Sequence, residues 1–369
     1  MALTEIDGSA LGPTAQRILG RRNLVVNGAM NIAQRATTST ATGYQTVDRF
    51  AIQYGGADEN PTQAQVDITA DTDPWNKGFR KALKITNGDQ ASGAGAADYV
   101  EIQLKLEAQD IANSGWEYTS TSDYITLSFW VKSSVAQTFY GYIDTIDGTG
   151  QRYSFSFALS ANTWTKVIKT IPGAANITVN NDNGQGLLIS FVPFYGTDYT
   201  NNNTLDTWAE KVTGNYFPDQ TSTWWTTDNA TFEITGVQVE VANSETEFEH
   251  RSYGDELLRC QRYYYCVAKG DSQSLGLGIM SRTIEMYTTV YFPVVMRATP
   301  TLSVTTGTDF YKILRDNAND TFNDFELGSA TTNLIGELLN DDEVSGALGD
   351  GGFVRTNNAS SHVGFSAEL

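Results

Sequence analysis

The stretch ITLSFWVK at residues 125–132 decides the fold class. Ile125, Leu127, Phe129 and Val131 fall at every second position, with Thr126, Ser128, Trp130 and Lys132 between them. A period of two puts successive side chains on opposite faces of an extended chain, so the segment predicts a β-strand with one face in a core. The rhythm returns at 153–158, where Tyr153, Phe155 and Phe157 alternate with Ser154, Ser156 and Ala158, and in runs at 164–171, 187–194 and 232–241. Polar segments such as 180–186 and 201–204 separate the runs. Spaced strands, polar turns and few helical patterns predict an all-β chain built as a sandwich or jelly roll.

The chain has 369 residues, enough for two domains. Residues 1–22, with Gly8, Gly12, Pro13 and Gly20, read as an N-terminal arm too short to bury anything alone. Its apolar Ile6, Leu11, Ile18 and Leu19 are expected to pack on another subunit or partner. A helix start is written at Ser252, which can cap free amides, with Asp255 three residues on and Leu257 and Leu258 following. This predicts a short linking helix over 253–260 and then a strand at 261–268. All seven tryptophans precede Gly254, so composition changes at the same place. The expected organisation is therefore an arm at 1–22, a jelly-roll module at 23–252 and a smaller β-sandwich module at 253–369. Strand-like alternation resumes at 278–296 and 301–305, the acidic, Gly-rich 341–352 reads as loop, and 363–369 as a last strand. No period of 20–50 residues repeats, which excludes a solenoid or propeller.

Charge narrows the partners. Asp and Glu number 43 against 24 Lys and Arg, a formal charge of -19. That sign repels phosphate, so nucleic acid is excluded as a partner through any basic footprint, and an anionic membrane surface is disfavoured. The opening MALTEIDGSALGPTAQRILGRR lacks a long apolar core after a basic segment, and no run reaches 18 apolar residues. Neither a secretory signal nor membrane insertion is expected, and synthesis in a cytoplasm is. Cys260 and Cys266, six positions apart, fit neither a CxxC redox pair nor a four-ligand zinc framework, and read as reduced, half-buried thiols.

Catalytic patterns are scarce. The two histidines, His250 and His362, lie in a junction segment and in an Asn-Ser tract, and no GxSxG, HExxH or Walker loop occurs. The Gly93 and Gly95 loop, SGAGAAD, is a weak phosphate signal with no helix of the right character behind it. Asp144 and Asp147 flank a turn, and Asp198, Asp206, Asp219 and Asp228 lie in aromatic-rich loops; all read first as solvated turn formers. Structural Ca2+ is the alternative for such oxygen-rich loops, but no DxDxDG-like run exists, so no metal ligands and no cofactor are assigned.

The aromatics say more. Between Phe194 and Trp225 stand Tyr195, Tyr199, Trp208, Tyr216, Phe217 and Trp224, amid Asn, Asp and Thr. Sugar rings stack an apolar face on aromatic planes while amides and carboxylates bind their hydroxyls. Trp208, Trp224, Trp225, Tyr195 and Tyr199 are therefore candidate contacts for a neutral glycan or a protein partner, set against ordinary core packing. Tyr263, Tyr264 and Tyr265 cannot all point one way on a strand, which suggests a subunit interface for at least one.

Four phrases carry a resemblance. NLVVNGAMNIAQR at 23–35, followed by GYQTVDRF at 43–50, resembles the opening of tail-fibre and virion structural proteins in phages of marine bacteria, including cyanophages. FEHRSYGDELLRCQRYYY at 248–265 resembles the junction closing their first module. FPVVMRATPTLSV at 292–304 and the terminal VGFSAEL look like their second. ITLSFWVKS, NTWTKVIKTIPG and FEITGVQVEV also look like a carbohydrate-binding-module jelly roll. The resemblance implies a virion appendage protein, made in the host cytoplasm. It would be a homo-oligomer, most simply a trimer, whose arm docks on other tail or virion proteins and whose modules meet a host surface glycan. An adaptor or collar role and a polysaccharide depolymerase stand as alternatives.

Within those phrases, Asn27-Gly28 predicts a turn through positive φ, and Asp48 and Arg49 an ion pair or a backbone anchor at the core's edge.

Overall fold

The alternating 125–132 segment lies within a strand spanning Tyr124–Ser133, and its four apolar side chains have no solvent exposure. The computed structural model describes residues 22–201, 203–316 and 319–369. Ile6, Leu11, Ile18 and Leu19 of the arm lie outside these described residues. The chain divides into two compact units, the first ending at Tyr253 and the second spanning Gly254–Leu369.

Strands of the first unit are β1 (Thr38–Ser39), β2 (Phe50–Gly55), β3 (Thr62–Asp67), β4 (Lys81–Thr86), β5 (Tyr99–Glu107) and β6 (Tyr124–Ser133). They continue with β7 (Gln137–Thr145), β8 (Gln151–Leu159), β9 (Thr165–Pro172), β10 (Gln185–Tyr195), β11 (Trp208–Glu210) and β12 (Thr231–Val241). Two short helices, α1 (Asp73–Asn76) and α2 (Ala108–Ala112), interrupt them. The strands form two six-stranded sheets, β1-β3-β4-β12-β6-β9 and β11-β8-β7-β10-β5-β2, a sandwich of jelly-roll type. Its core takes Leu127, Phe129, Val167, Phe232 and Ile234 from the first sheet and Phe50, Ile102, Phe139, Phe155 and Phe191 from the second. Each such side chain contributes about 1.5–3 kcal/mol by leaving water.

The second unit opens with α3 (Tyr253–Gln261), where Asp255 and Glu256 occupy the first turn and Arg259 the last, each complementing the helix dipole. Its strands are β13 (Tyr264–Lys269), β14 (Ser274–Arg282), β15 (Glu285–Tyr291), β16 (Thr301–Val304) and β17 (Tyr311–Leu314). They end with β18 (Asp320–Phe322), β19 (Glu326–Leu327), β20 (Ile335–Asn340), β21 (Gly351–Thr356) and β22 (His362–Ser366). A three-stranded sheet, β13-β22-β16, packs on a seven-stranded one, β18-β17-β21-β14-β15-β20-β19, around Met280, Met286, Leu338, Val354 and Phe365. The segment read as loop at 341–352 gives up its end to β21.

The four family-like phrases are joints. Asn23 is buried, and its side-chain oxygen accepts from the amides of Val25 (2.9 Å) and Val239 (3.1 Å). The Asn23 amide donates to Glu249 (2.7 Å), and the Arg251 guanidinium donates to the carbonyls of Asn23 and Val25. The opening phrase is thus clasped to the junction phrase. Asn27 makes the expected turn at φ 62°, and its amide donates to the carbonyls of Ile32 and Asp48, both at 2.9 Å. A Cβ on Gly28 would stand 2.1 Å from the Val237 carbonyl oxygen, so no larger residue fits. Arg49 is 2% exposed and anchors backbone, donating to the Lys105 carbonyl, while Asp48 accepts from Gln34. In the second unit Arg297 donates to the carbonyls of Ala367 and Glu368, and β13 and β16 flank β22, joining the remaining phrases in one sheet.

The tyrosine triplet departs from expectation. Tyr263 and Tyr264 are both buried, and Tyr265 is half-buried against Phe292 at 6.2 Å. Opposite faces of this segment are covered within the unit itself, so the triplet needs no second subunit to cover it. His362 of the Asn-Ser tract is half-buried, with its ring stacked on Tyr264 and its Nε2 hydrogen-bonded to the Tyr264 hydroxyl. Cys260 and Cys266 form no disulfide.

Candidate functional site

The aromatic stretch splits into two groups with different surroundings. Trp224 and Trp225 have no solvent exposure. Trp224 Nε1 donates to the Thr231 carbonyl (3.1 Å), and Trp225 Nε1 to the Gly93 carbonyl (3.0 Å). Trp225 stacks on Phe194 at 5.2 Å, and the Asn87 side chain holds the Trp225 carbonyl at 2.6 Å. A ring with no free face cannot receive a sugar, so these two are core and not the glycan platform the sequence suggested. Trp208 lies half-buried on β11, donating to the Pro172 carbonyl (2.7 Å) with its ring 5.4 Å from Tyr153.

Tyr195, Tyr199, Tyr216 and Phe217 gather instead on the outer face of the second sheet. They join Tyr142, Leu188 and Val192 there, with Tyr99, Tyr140 and Leu205 packed alongside. Tyr140 and Phe217 stack at 4.6 Å, nearly parallel, and Tyr195 contacts Tyr99, Tyr199, Tyr216 and Phe217. Chain that left β10 has folded back over the sheet and built a second, aromatic core.

Buried polar groups are consumed inside this layer. Glu101 accepts from the hydroxyls of Tyr142 (2.8 Å) and Ser190 and from Gln103 (2.8 Å). Asp144 and Arg152, directly opposite each other in the β7–β8 register, form a two-pronged pair at 2.7 Å. Lys211 adds a second cation to Asp144 at 3.2 Å, and the Arg152 guanidinium lies 3.5 Å from the Tyr216 ring centre. Asp144 is 1% exposed, so it is no solvated turn former: the hairpin delivers a guanidinium to it. Burial, reinforced by the Glu101 charge, holds the Tyr142 and Tyr195 phenols well above their usual pKa, and burial pushes Tyr153 up to about 12. Burial opposes the Arg152 charge, yet the contacts with Asp144 more than offset it and its pKa rises. Paired this way, these groups hold the layer together and offer no free acid or base.

What stays open lies beside this layer. A groove of about 240 Å3 is lined by Ala94, Gly95, Ala96 and residues 194–197, with Thr200, Gln220 and Ser222. Gln220 braces it, accepting from the Tyr195 amide (3.2 Å) and donating to the Pro193 carbonyl (2.8 Å). Thr200 donates to Asp219 (2.7 Å), and Asp98 accepts from the Gly95 amide (2.5 Å). Hydroxyls, amides and backbone edges share the lining with Ala94, Ala96 and Phe194, an uncharged mixture suited to hydroxyl-rich, uncharged ligands. Of the sequence candidates, Tyr195 lines this groove and Tyr199 packs against Tyr195; Trp208, Trp224 and Trp225 are not among the lining residues. The SGAGAAD loop, read as a weak phosphate signal, supplies one wall.

Asp147 is half-buried and accepts from the Asn180 amide and side chain, both at 2.7 Å. Asp206 pairs with Lys169 at 3.5 Å. Among the described residues no group of three or more His, Cys, Asp or Glu could hold a metal ion, and no helix is long and apolar enough to cross a membrane.

No family model and no curated protein matches the sequence. Solved structures similar to the chain include the enzymatically active domain of bacteriophage CBA120 tailspike protein 4. Identity there is 11% and the TM-score 0.32, over 60% of this chain and 21% of that one. The N-terminal cellulose-binding domain of Cellulomonas fimi β-1,4-glucanase C is 12% identical, with a TM-score of 0.30 over 58% of this chain and all of that one (100%). A family 11 carbohydrate-binding module from Clostridium thermocellum, in complex with a mixed-linked tetrasaccharide, is 13% identical, with a TM-score of 0.27 over 56% and 96%. These neighbours are carbohydrate-binding jelly rolls and one phage tailspike domain; at such scores they carry no argument about activity.

Proposed function

We propose that the chain is a phage virion structural protein, a tail-fibre subunit that attaches the particle to a host surface by many weak contacts. It acts by binding and not by catalysis, without a cofactor. The observation that carries this reading is the placement of the four phage-like phrases. Asn23 and Arg251 tie together the two ends of the first unit, Asn27 pins the opening phrase to Ile32 and Asp48, and Arg297 holds the last residues of the second unit. The sequence resemblance therefore rests on residues that define this architecture and not on scattered surface positions. The uncharged groove by Tyr195 supports a host glycan as the contact, and a homo-oligomer, a trimer on the resemblance, multiplies its affinity through avidity. The arm at 1–22 joins it to other tail or virion proteins.

The test is adsorption. Purified protein is expected to bind one or more of a panel of bacterial lipopolysaccharides and capsular polysaccharides and to compete with phage for host cells. Thr197→Trp, which fills the groove from an exposed position, is expected to weaken binding at least tenfold, about 1.4 kcal/mol, with folding unchanged. Tight binding to another virion protein with no binding to host surfaces would instead make it an adaptor. Release of oligosaccharide would make it a depolymerase.

A further inference from the structure

The seven-stranded sheet of the second unit leaves its outer face bare. On its central strand, β14, Leu277 is 62% exposed and Ile279 58%; Phe353 on β21 is 57% exposed and Tyr291 on β15 is 74%. The register makes Leu277 and Phe353 neighbours and pairs Tyr291 with Ile335 on the same face. Leu277 stands opposite Phe353, which stands opposite Leu314, while Ile279 stands opposite Tyr287, which stands opposite Leu339. Around Leu277, Ile279, Leu314 and Phe353 runs an open depression of about 610 Å3, floored in part by Gly351 and Gly352. The four most exposed side chains offer on the order of 500 Å2, as large as the greatest apolar patch of an ordinary monomer. With half-buried Leu314, Tyr287, Ile335 and Leu339 the face approaches the ~800 Å2 per partner of a stable pairwise interface.

Charge says what covers it. On one side of the apolar centre Lys312 of β17 stands directly opposite Arg355 of β21, a like-charged cross-strand pair that is unfavourable by itself. The buried Nε of Arg355 has no hydrogen-bond partner, and Lys312 has no acid partner among the described residues. On the other side Glu337 of β20 and Glu326 of β19 share the same face, by their pairing with Thr289 and with Leu339. The face is thus basic at one edge, apolar in the middle and acidic at the other, and it complements itself when opposite edges meet.

We propose that this face is the contact between copies of the chain, with the Lys312 and Arg355 edge of one copy on the Glu326 and Glu337 edge of the next. The inference deepens the homo-oligomeric reading above by naming the surface that joins the copies, and it rests on that reading.

The experiment is the mass of the full chain in solution by sedimentation, at several concentrations and at low and high salt. The wild type is expected to be multimeric. Leu277→Asp is expected to shift it to monomer with an unchanged circular dichroism spectrum, and Lys312→Glu combined with Arg355→Glu to do the same without touching an apolar residue. Adding Glu326→Lys and Glu337→Lys to that charge-reversed chain is expected to restore the multimer. A monomeric wild type at every concentration overturns the proposal. A multimer untouched by Leu277→Asp and by the charge reversal also overturns it, while leaving the oligomeric reading standing on some other face. Adsorption to host surfaces is read separately, so its failure is not confused with failure of this contact.

Discussion

Each unit contains a large antiparallel sheet with apolar side chains on both faces, and the two sheets treat their outer faces differently. In the first unit the chain that follows β10 returns over the sheet, so Tyr142, Tyr195 and Phe217 are buried; beneath them Glu101 is hydrogen-bonded and Asp144 is paired with Arg152. In the second unit Leu277, Ile279 and Phe353 stand in the open. The difference teaches that alternation specifies a strand but not what covers its second face. A face closed by its own chain stabilises the monomer, whereas a face left open is available to a neighbour.

Four measurements would break or sharpen that contrast. The largest effect is expected at the inner core of the first unit: Trp225→Ala should destabilise it by about 3–5 kcal/mol, read from denaturant midpoints. Removing one member of the buried pair, as in Arg152→Ala, should cost about 3–5 kcal/mol, because Asp144 is then left in a dry layer with Lys211 alone. Replacing Asp144 and Arg152 together by leucines should cost far less; equal losses for the single and double variants would mean that pairing is not what matters there.

Alkali provides a third comparison. The Tyr142 and Tyr195 phenols bind their protons more tightly folded than unfolded, since their folded pKa values lie well above 10.0. Their contribution is fully present below the unfolded value and is lost as pH rises from there through the folded values. Tryptophan fluorescence reports on the first unit alone, since all seven tryptophans are there. Its unfolding midpoint should fall as pH is raised above about 10, and a midpoint insensitive to pH in that range would contradict the buried network. The smallest effect is expected on the bare face: Leu277→Ser should change the second unit's monomer stability by no more than about 0.5 kcal/mol. A larger loss would mean the face is already covered.

Much of the fold was legible because the strands at 125–132, 153–158 and 232–241 alternate apolar with polar side chains, which is what a period of two records, although Thr126, Ser154 and Gln238 on the polar face are buried too. The helix at 253–261 was legible from Ser252 and the acids that follow it. The strand Ile335–Asn340 was not singled out, and Gly351–Thr356 was overlooked, since glycine and acid dominate its approach while its pairing comes from β14 and β17, distant in sequence. The site was less legible still. Nothing local distinguishes Trp224 and Trp225 from surface stacking rings; Asn87 and Gly93, more than a hundred residues away, settle their burial. Asp144 looked like part of a turn because Arg152 becomes its partner only when the hairpin register is set. The signal that could have exposed the second core is the aromatic load on both faces of β7, where Phe139 points inward and Tyr140 and Tyr142 outward.

The clasp between Asn23 and Arg251 has a mechanical consequence. Because the first unit's chain enters and leaves at the same spot, a pull applied at those two residues is borne by the Arg251 guanidinium and the Glu249 carboxylate before it reaches any strand pair. The sandwich hangs beside the line of force like a bead on a knotted thread, and tension along the chain need not unravel it.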